Sequence, residues 1–215
     1  MPSGSNPALV LTHTRGGSGI LSGMLIPAHL MPGETGPALT GHYLEARTAA
    51  IFAGACHANG ERTLEGREAL CAWIFDSGAR VVLLLAADEN LAEPGVHWNA
   101  RLFVDGPDSA RALTFLRARE PRLLPAELEA QPLDITARVD GEAYELAGAD
   151  IFGLAGRALE NRDCCKMPLS VWYEPLAGVE GRVVGDNTRF WVHDAALRRR
   201  FSRPGDNAAF VARFR

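Results

Sequence analysis

The sequence of 215 residues predicts an α+β fold, in which a mainly antiparallel sheet has one clear helix packed on it. Short apolar or alternating segments recur between tight-turn signals such as Asn59-Gly60 and Asp140-Gly141, and this pattern is typical of hairpins. Only the segment after Asp105 combines the periodicity of a helix with helix start and stop signals. The alternation of strands and helices expected of parallel βαβ units is not seen.

The chain is predicted to form one α+β domain from residue 39 to 215. Residues 1–38 are rich in Gly, Ser, Pro and Thr with little periodicity, so we expect a poorly ordered leader there. Within the domain, alternation, apolar runs and flanking turn residues predict eight strands. They are His42–Phe52, Ala69–Phe75, Val81–Ala86, His97–Val104, Leu133–Val139, Glu142–Leu146, Ile151–Leu159 and Ala208–Phe214.

The clear helix follows the sequence Asp-Gly-Pro-Asp-Ser of residues 105–109, which offers a capping residue and a proline for the first turn. Ala112, Leu113 and Leu116 then form an apolar stripe, and Pro121 ends the helix. A second, short helix is predicted for Asp194–Phe201.

Charge and composition exclude several classes of protein. The net charge of −4 and a pI near 5.9 argue against a nucleic-acid partner, which would require a basic face. No apolar run approaches the roughly 20 residues that a membrane-spanning helix needs, and no secretory signal is evident, so we expect a cytoplasmic protein without membrane contact. Four cysteines in a chain of this length do not make a disulfide scaffold.

Two thiol-bearing stretches are the first candidate site. Cys56 and His57 precede the Asn59-Gly60 turn, and Cys164 and Cys165 stand together far along the chain. Cysteine and histidine suit zinc, and the sulfur of Met167, two residues after Cys165, would favour Cu(I).

The sequence leaves other interpretations of these thiols open. They are a disulfide or redox pair between the two stretches, a nucleophile at Cys56, or buried thiols. The only lysine, Lys166, would favour a neighbouring thiolate. Cys71, beside Trp73 in an apolar strand, is predicted to belong to the core.

Charged and aromatic side chains form the second candidate site. Glu45 and Arg47 lie two apart on one predicted strand and share a face, with Glu61 close by through the first turn. Such a cluster can act as an acid and base or clamp a carboxylate; the alternative is a surface ion pair worth at most about 1 kcal/mol. Tyr173, in the stretch Trp-Tyr-Glu-Pro-Leu of residues 172–176, is a candidate for lining a ligand groove, or else it belongs to the core or its rim.

Several motifs together resemble a bacterial domain-of-unknown-function family, number thirteen twenty-six. They are "HYLEARTAAIFAGACHANGE" from residue 42, "EALCAW" from residue 68, "RALENRDCCKMPLSVWYEPL" from residue 157 and the terminal "AAFVARF". The matching motif positions are Glu45, Arg47, Thr48, Gly54, Cys56, Asn59, Gly60, Glu61, Tyr173, Pro175 and Leu176. This chain departs from the family pattern His-X-Cys-Gly-Asn-Glu at residues 164–168. The resemblance implies no activity.

The sequence therefore favours a binding protein for a small ligand or a soft metal, zinc or copper, at Cys56 with Cys164 or Cys165. Two alternatives stay open. One is a thiol-dependent or acid/base enzyme, although no known nucleophile motif is present. The other is a protein-interaction module that assembles through a sheet edge or its aromatic patch. The oligomeric state is not predicted.

Overall fold

Strands make up just over half of the residues that the structure describes. The computed structural model describes residues 39–54, 65–159 and 170–215, and strands cover 53% of these residues against 7% for helix. The elements of the described residues are β1 (Gly41–Arg47), β2 (Phe52–Ala53), β3 (Glu68–Phe75), β4 (Arg80–Ala87), β5 (Trp98–Asp105), α1 (Ser109–Arg119), β6 (Ala130–Pro132), β7 (Ile135–Asp140), β8 (Ala143–Gly148), β9 (Phe152–Ala158), β10 (Ser170–Val171), β11 (Val183–Asp194), β12 (Arg199–Arg203) and β13 (Asp206–Phe214).

Eleven of these strands form one sheet in the order β6-β5-β4-β3-β1-β13-β11-β9-β8-β7, with β12 paired to β11. The β5–β6 pairing is parallel, and the other pairings described in this sheet are antiparallel. The first and last strands, β1 and β13, pair with each other at its centre. β2 and β10 form a separate two-stranded ladder.

One face of the sheet is covered by α1. Ala112, Leu113 and Leu116 of the helix are buried, as predicted, in a core cluster that includes Leu83 of β4 and Leu102 of β5. The predicted side-chain cap of this helix is wrong. Asp108 precedes the helix with a left-handed φ of 57° and makes no capping hydrogen bond through its side chain.

The other face curls onto itself and encloses a second core cluster. Phe103 of β5 and Phe152 of β9 lie at a ring-centroid distance of 5.9 Å, although their strands stand far apart in the sheet order. The backbone N–H of Leu133, just after β6, donates to the carbonyl oxygen of Val104 in β5 (3.2 Å). Central strands such as β3 and β4 are therefore covered on both faces, which explains their nearly continuous apolar sequences.

The predicted α+β class is wrong, because the described residues form an all-β protein with one short helix. The predicted helix at Asp194–Phe201 is wrong: this segment contains the end of β11, the turn of residues 195–198 and the start of β12. In the turn, the Asp194 carboxylate accepts a hydrogen bond from the N–H of Leu197 (2.9 Å). The sequence predicts no element for Val183–Asp194, which forms the longest strand, β11.

Most of the other strand predictions are confirmed to within a few residues. β3, β4, β5, β9 and β13 occupy the predicted segments, and β7 and β8 form the hairpin predicted across Asp140-Gly141. The predicted first strand is shorter, because β1 ends at Arg47 and β2 covers Phe52–Ala53. Pro37–Arg215 forms one compact unit. The predicted leader at residues 1–38 and the Asn59-Gly60 turn lie outside the described residues.

Candidate functional site

The Glu45–Arg47 pair on β1 is buried. Alternation along the strand places both side chains on one face, as the sequence predicts, and the Arg47 Nε lies 2.6 Å from the Glu45 Oε1. The side chains are 2% and 0% exposed for Arg47 and Glu45 respectively. The alternative interpretation as a surface ion pair therefore does not describe this pair.

The second carboxylate oxygen of Glu45 is also fully used. The Tyr43 hydroxyl, on the same face of β1, donates to Oε2. The backbone N–H of Leu176 donates to the same oxygen at 2.8 Å, from 131 residues further along the chain. Arg47 thus balances the charge of this buried carboxylate, and the three donors together orient it.

Arg47 binds the segment that lies over the pair. Its guanidinium donates to the carbonyl oxygen of Glu174 and lies 5.5 Å from the centre of the Tyr173 ring. We call residues 173–176 the covering segment. Glu45 and Arg47 hold its backbone at an N–H and a carbonyl, so the clamp that the sequence predicts for a ligand is occupied by the protein's own chain.

Tyr173 fixes the start of the covering segment. Its hydroxyl accepts a hydrogen bond from the Asn90 side-chain amide (3.2 Å). Its ring packs against a small apolar cluster that includes Ile51 and Phe52. Of the predicted ligand-binding residues, Glu45, Arg47 and Tyr173 therefore meet in space, and Glu61 lies outside the described residues.

Cys71 lies opposite Glu45 on β3 and is fully buried, which confirms its predicted place in the core. Burial raises the pKa of this thiol well above its usual range, and the nearby Glu45 carboxylate raises it further. Burial likewise raises the pKa of Tyr43, and the Cys71 thiol and Glu45 add to this effect. Both groups are therefore neutral at physiological pH.

A second, partly buried chain of polar side chains adjoins β1 and was not predicted from the sequence. The Thr48 hydroxyl donates to the Glu68 carboxylate (2.7 Å), and Glu68 pairs with Arg199 at 2.8 Å. Glu68 and Arg199 gave no sequence signal, because their meeting depends on pairing between distant strands. Tyr43 was also missed, although its spacing of two from Glu45 placed it on the same face.

The predicted metal ligands Cys56, His57, Cys164 and Cys165 lie outside the described residues. The described residues that border their segments come together in the β2–β10 ladder, where Ala53 pairs with Ser170 and Phe52 with Val171. The N–H of Trp172 continues the ladder by donating to the carbonyl oxygen of Ile51 (2.8 Å). Within residues 39–54, 65–159 and 170–215, no three His, Cys, Asp or Glu side chains converge in a way that could hold a metal ion.

Among the residues that the structure describes, no helix has the length and apolar character needed to cross a bilayer. Comparison with protein-family models, with curated proteins and with solved structures finds no match to this chain. The family resemblance suggested by the motifs therefore stays a prediction.

Proposed function

We propose that the protein binds a soft metal ion, zinc or Cu(I), or a small thiol-seeking ligand, through Cys56 together with Cys164 or Cys165. The observation that supports this proposal is the antiparallel pairing of Ala53 with Ser170. This pairing starts the two cysteine-bearing segments from neighbouring points of one ladder, although more than 100 residues of sequence separate them.

The lengths of the connections are compatible with a shared site. Cys56 follows Ala53 by three residues, and Cys165 precedes Ser170 by five. A chain spans at most about 3.6 Å per residue, so these connections reach no farther than roughly 11 Å and 18 Å. Neighbouring strands of a ladder stand about 5 Å apart, so the two thiols are free to approach within metal-ligand distance.

The other ends of the two segments border the same region. Leu159, before the second segment, packs in the apolar cluster with Phe52 and Tyr173, and its N–H donates to the carbonyl oxygen of Val184 (2.9 Å). Gly66, after the first segment, lies directly against Asn90, whose side chain donates to Tyr173. The described residues that flank the two segments therefore lie in one region, which supports a common site.

The ligand types match a soft cation. Two thiolates with the imidazole of His57 provide the sulfur and nitrogen ligands that zinc takes, and the thioether of Met167 would shift the preference towards Cu(I). We also propose a cytoplasmic location, because thiols that bind metal must stay reduced.

Metal uptake by cysteine variants tests the proposal. Reduced, metal-free protein is titrated with zinc and separately with Cu(I) against a competing chelator. We expect one ion per chain for the wild type, and at least a tenfold weaker affinity for Cys56→Ser and for the Cys164→Ser/Cys165→Ser double variant, since each loses thiolate ligands. The matched control is Cys71→Ala, which removes a buried thiol and is expected to leave the affinity unchanged.

The proposal fails if the wild type takes up neither zinc nor Cu(I) and Cys56 reacts with thiol reagents independently of Cys164 and Cys165. It also fails if Cys71→Ala weakens uptake as much as Cys56→Ser.

A further inference from the structure

A cleft of about 430 Å³ lies where the end of α1, residues 178–181 and the end of β13 meet. Three arginine side chains line it: Arg119 from the last turn of α1, and Arg213 and Arg215 at the end of β13. Cavities of roughly 300–1,000 Å³ are the size of small-molecule sites. The cleft therefore brings three positive charges, from two parts of the chain, to a space that a small molecule would fill.

Two of the three guanidinium groups are positioned by contacts within the protein. Arg119 lies 5.1 Å from the centre of the Phe115 ring. Arg213 forms two bonds to the Asp76 carboxylate, at 2.8 and 3.2 Å. Each guanidinium has five N–H donors, so both keep donors free for a ligand.

The guanidinium groups at the cleft differ in whether they are paired. Glu180 is the side-chain carboxylate among the lining residues, and two more carboxylates lie beside the cleft: Asp76 pairs with Arg213, and Glu120 accepts from the Gly178 N–H. Arg119 forms no ion pair with the described residues. The side chain of Arg215 is exposed and makes no ion pair with the described residues. Burial lowers the pKa of His42, whose Nε2 lies 2.8 Å from Arg213; the charge of Arg213 lowers this pKa further, and the charge of Asp76 opposes the shift.

Residues 178–181 form the third wall of the cleft, and the backbone at Gly181 has empty space beside it. Gly178 and Gly181 flank Val179 and Glu180, and a Cβ added at Gly181 would meet no atom within 4 Å. Gly181 has a φ of 63°, a conformation that glycine adopts without strain. The Gly178 N–H donates to the Glu120 carboxylate (3.0 Å), which ties this wall to the end of α1.

We propose that this cleft binds the phosphate group of a small molecule. The planar guanidinium matches the oxygens of a phosphate through paired hydrogen bonds, and a doubly charged group gains more than a singly charged one from Arg119 and Arg215, which form no ion pair with the described residues. A singly charged ion such as acetate or chloride gains less, so the cleft should discriminate by charge. This site uses described residues alone and is independent of the thiol proposal.

Titration calorimetry with inorganic phosphate and with pyrophosphate at low ionic strength tests this assignment, with chloride and acetate as comparison ions. We expect saturable binding of pyrophosphate and of phosphate, and affinity falling steeply as salt is added. Arg119→Gln and Arg215→Gln should each weaken binding about tenfold, the loss expected for one charge-assisted hydrogen bond of about 1.4 kcal/mol. Both side chains are exposed, so we expect both variants to fold, and their urea unfolding midpoints check this.

The control variant is Arg138→Gln, which neutralises an exposed arginine at a different cleft and leaves the total charge equal to that of the test variants. If Arg138→Gln weakens phosphate binding as much as the test variants do, the affinity depends on net charge alone, and the proposal is overturned. Absence of saturable phosphate and pyrophosphate binding by the folded wild type would overturn it too, as would equal binding of acetate.

Discussion

Replacing Arg47 by Met removes the positive charge from the buried pair while keeping most of the side-chain volume. The Glu45 carboxylate, 0% exposed, would then keep only the Tyr43 hydroxyl and the Leu176 N–H as donors. Removing one partner of a buried ion pair costs about 3–5 kcal/mol, because the other charge stays buried without compensation. We expect the free energy of unfolding to fall by about this amount.

The double variant Glu45→Gln/Arg47→Met, together with the two single variants, separates the energy of the ion pair from the effects of each residue's other contacts. Glutamine keeps an acceptor for the Leu176 N–H, and no uncompensated charge remains. We therefore expect the double variant to be more stable than the sum of the two single changes predicts, with a coupling free energy of about 2–3 kcal/mol.

Urea unfolding followed by tryptophan fluorescence measures each corner of this cycle. The chain contains its own control, the Arg138–Asp140 pair, which has the same spacing of two residues on a strand and the same N···O distance of 2.6 Å but side chains 76% and 66% exposed. Arg138→Met should cost less than about 1 kcal/mol. The reasoning is refuted if Arg47→Met costs no more than Arg138→Met, or if the cycle is additive.

Three further changes test other parts of the structure. Tyr144→Phe removes a buried hydroxyl that donates to the Asn187 side chain (2.8 Å), so urea unfolding should show a loss of about 1–3 kcal/mol. Burial raises the pKa of Cys71 above its ordinary 9.0 and that of Tyr144 above 10.0, so the folded state holds these protons more tightly. The stability that this tighter proton binding contributes is complete below about pH 9 and is lost as the pH rises past 10. The free energy of unfolding measured against pH should show this decline, and the decline should be less steep in Cys71→Ala. Ala149 has a φ of 43°, so Ala149→Gly should raise the melting temperature, through a gain of up to about 1 kcal/mol.

The sequence predicts the parts of the site that depend on local periodicity. Alternation places Glu45 and Arg47 on one face of β1, and the structure has them there. Their burial was not predictable in the same way, because it depends on the covering segment, and Leu176 is 131 residues from Glu45. Which distant segment covers a strand is decided by the whole sheet, and a single sequence carries no direct signal for it.

The predicted fold class was wrong in part because no strand was predicted for residues 183–193 and a second helix was predicted for Asp194–Phe201. Residues 185–188, Gly-Asp-Asn-Thr, have the composition of a turn, but they lie within β11, where its register shifts against β13 and β9. A bulge accepts such residues without ending the strand. Asp194–Phe201 was predicted as a short helix, but the pairing of β12 with β11 determines its structure.

The covering segment connects the buried pair to the regions of both proposals. It follows directly from β10, which pairs with β2, and it continues to Gly178, whose N–H donates to Glu120 beside the arginine cleft. Glu45 and Arg47 hold the middle of this stretch at Leu176 and Glu174. A loss of the pair should therefore release the stretch locally, at a free energy below that of global unfolding.

Native-state hydrogen exchange on Arg47→Met tests this local release. The amides of Leu176 and of Trp172, which donates to Ile51, should lose protection by a larger factor than the amides at the centre of β4, such as Leu83. In Arg138→Met both groups should keep their wild-type protection. If Leu176 and Leu83 lose protection by the same factor in Arg47→Met, the pair stabilises the whole sheet uniformly and does not anchor the covering segment.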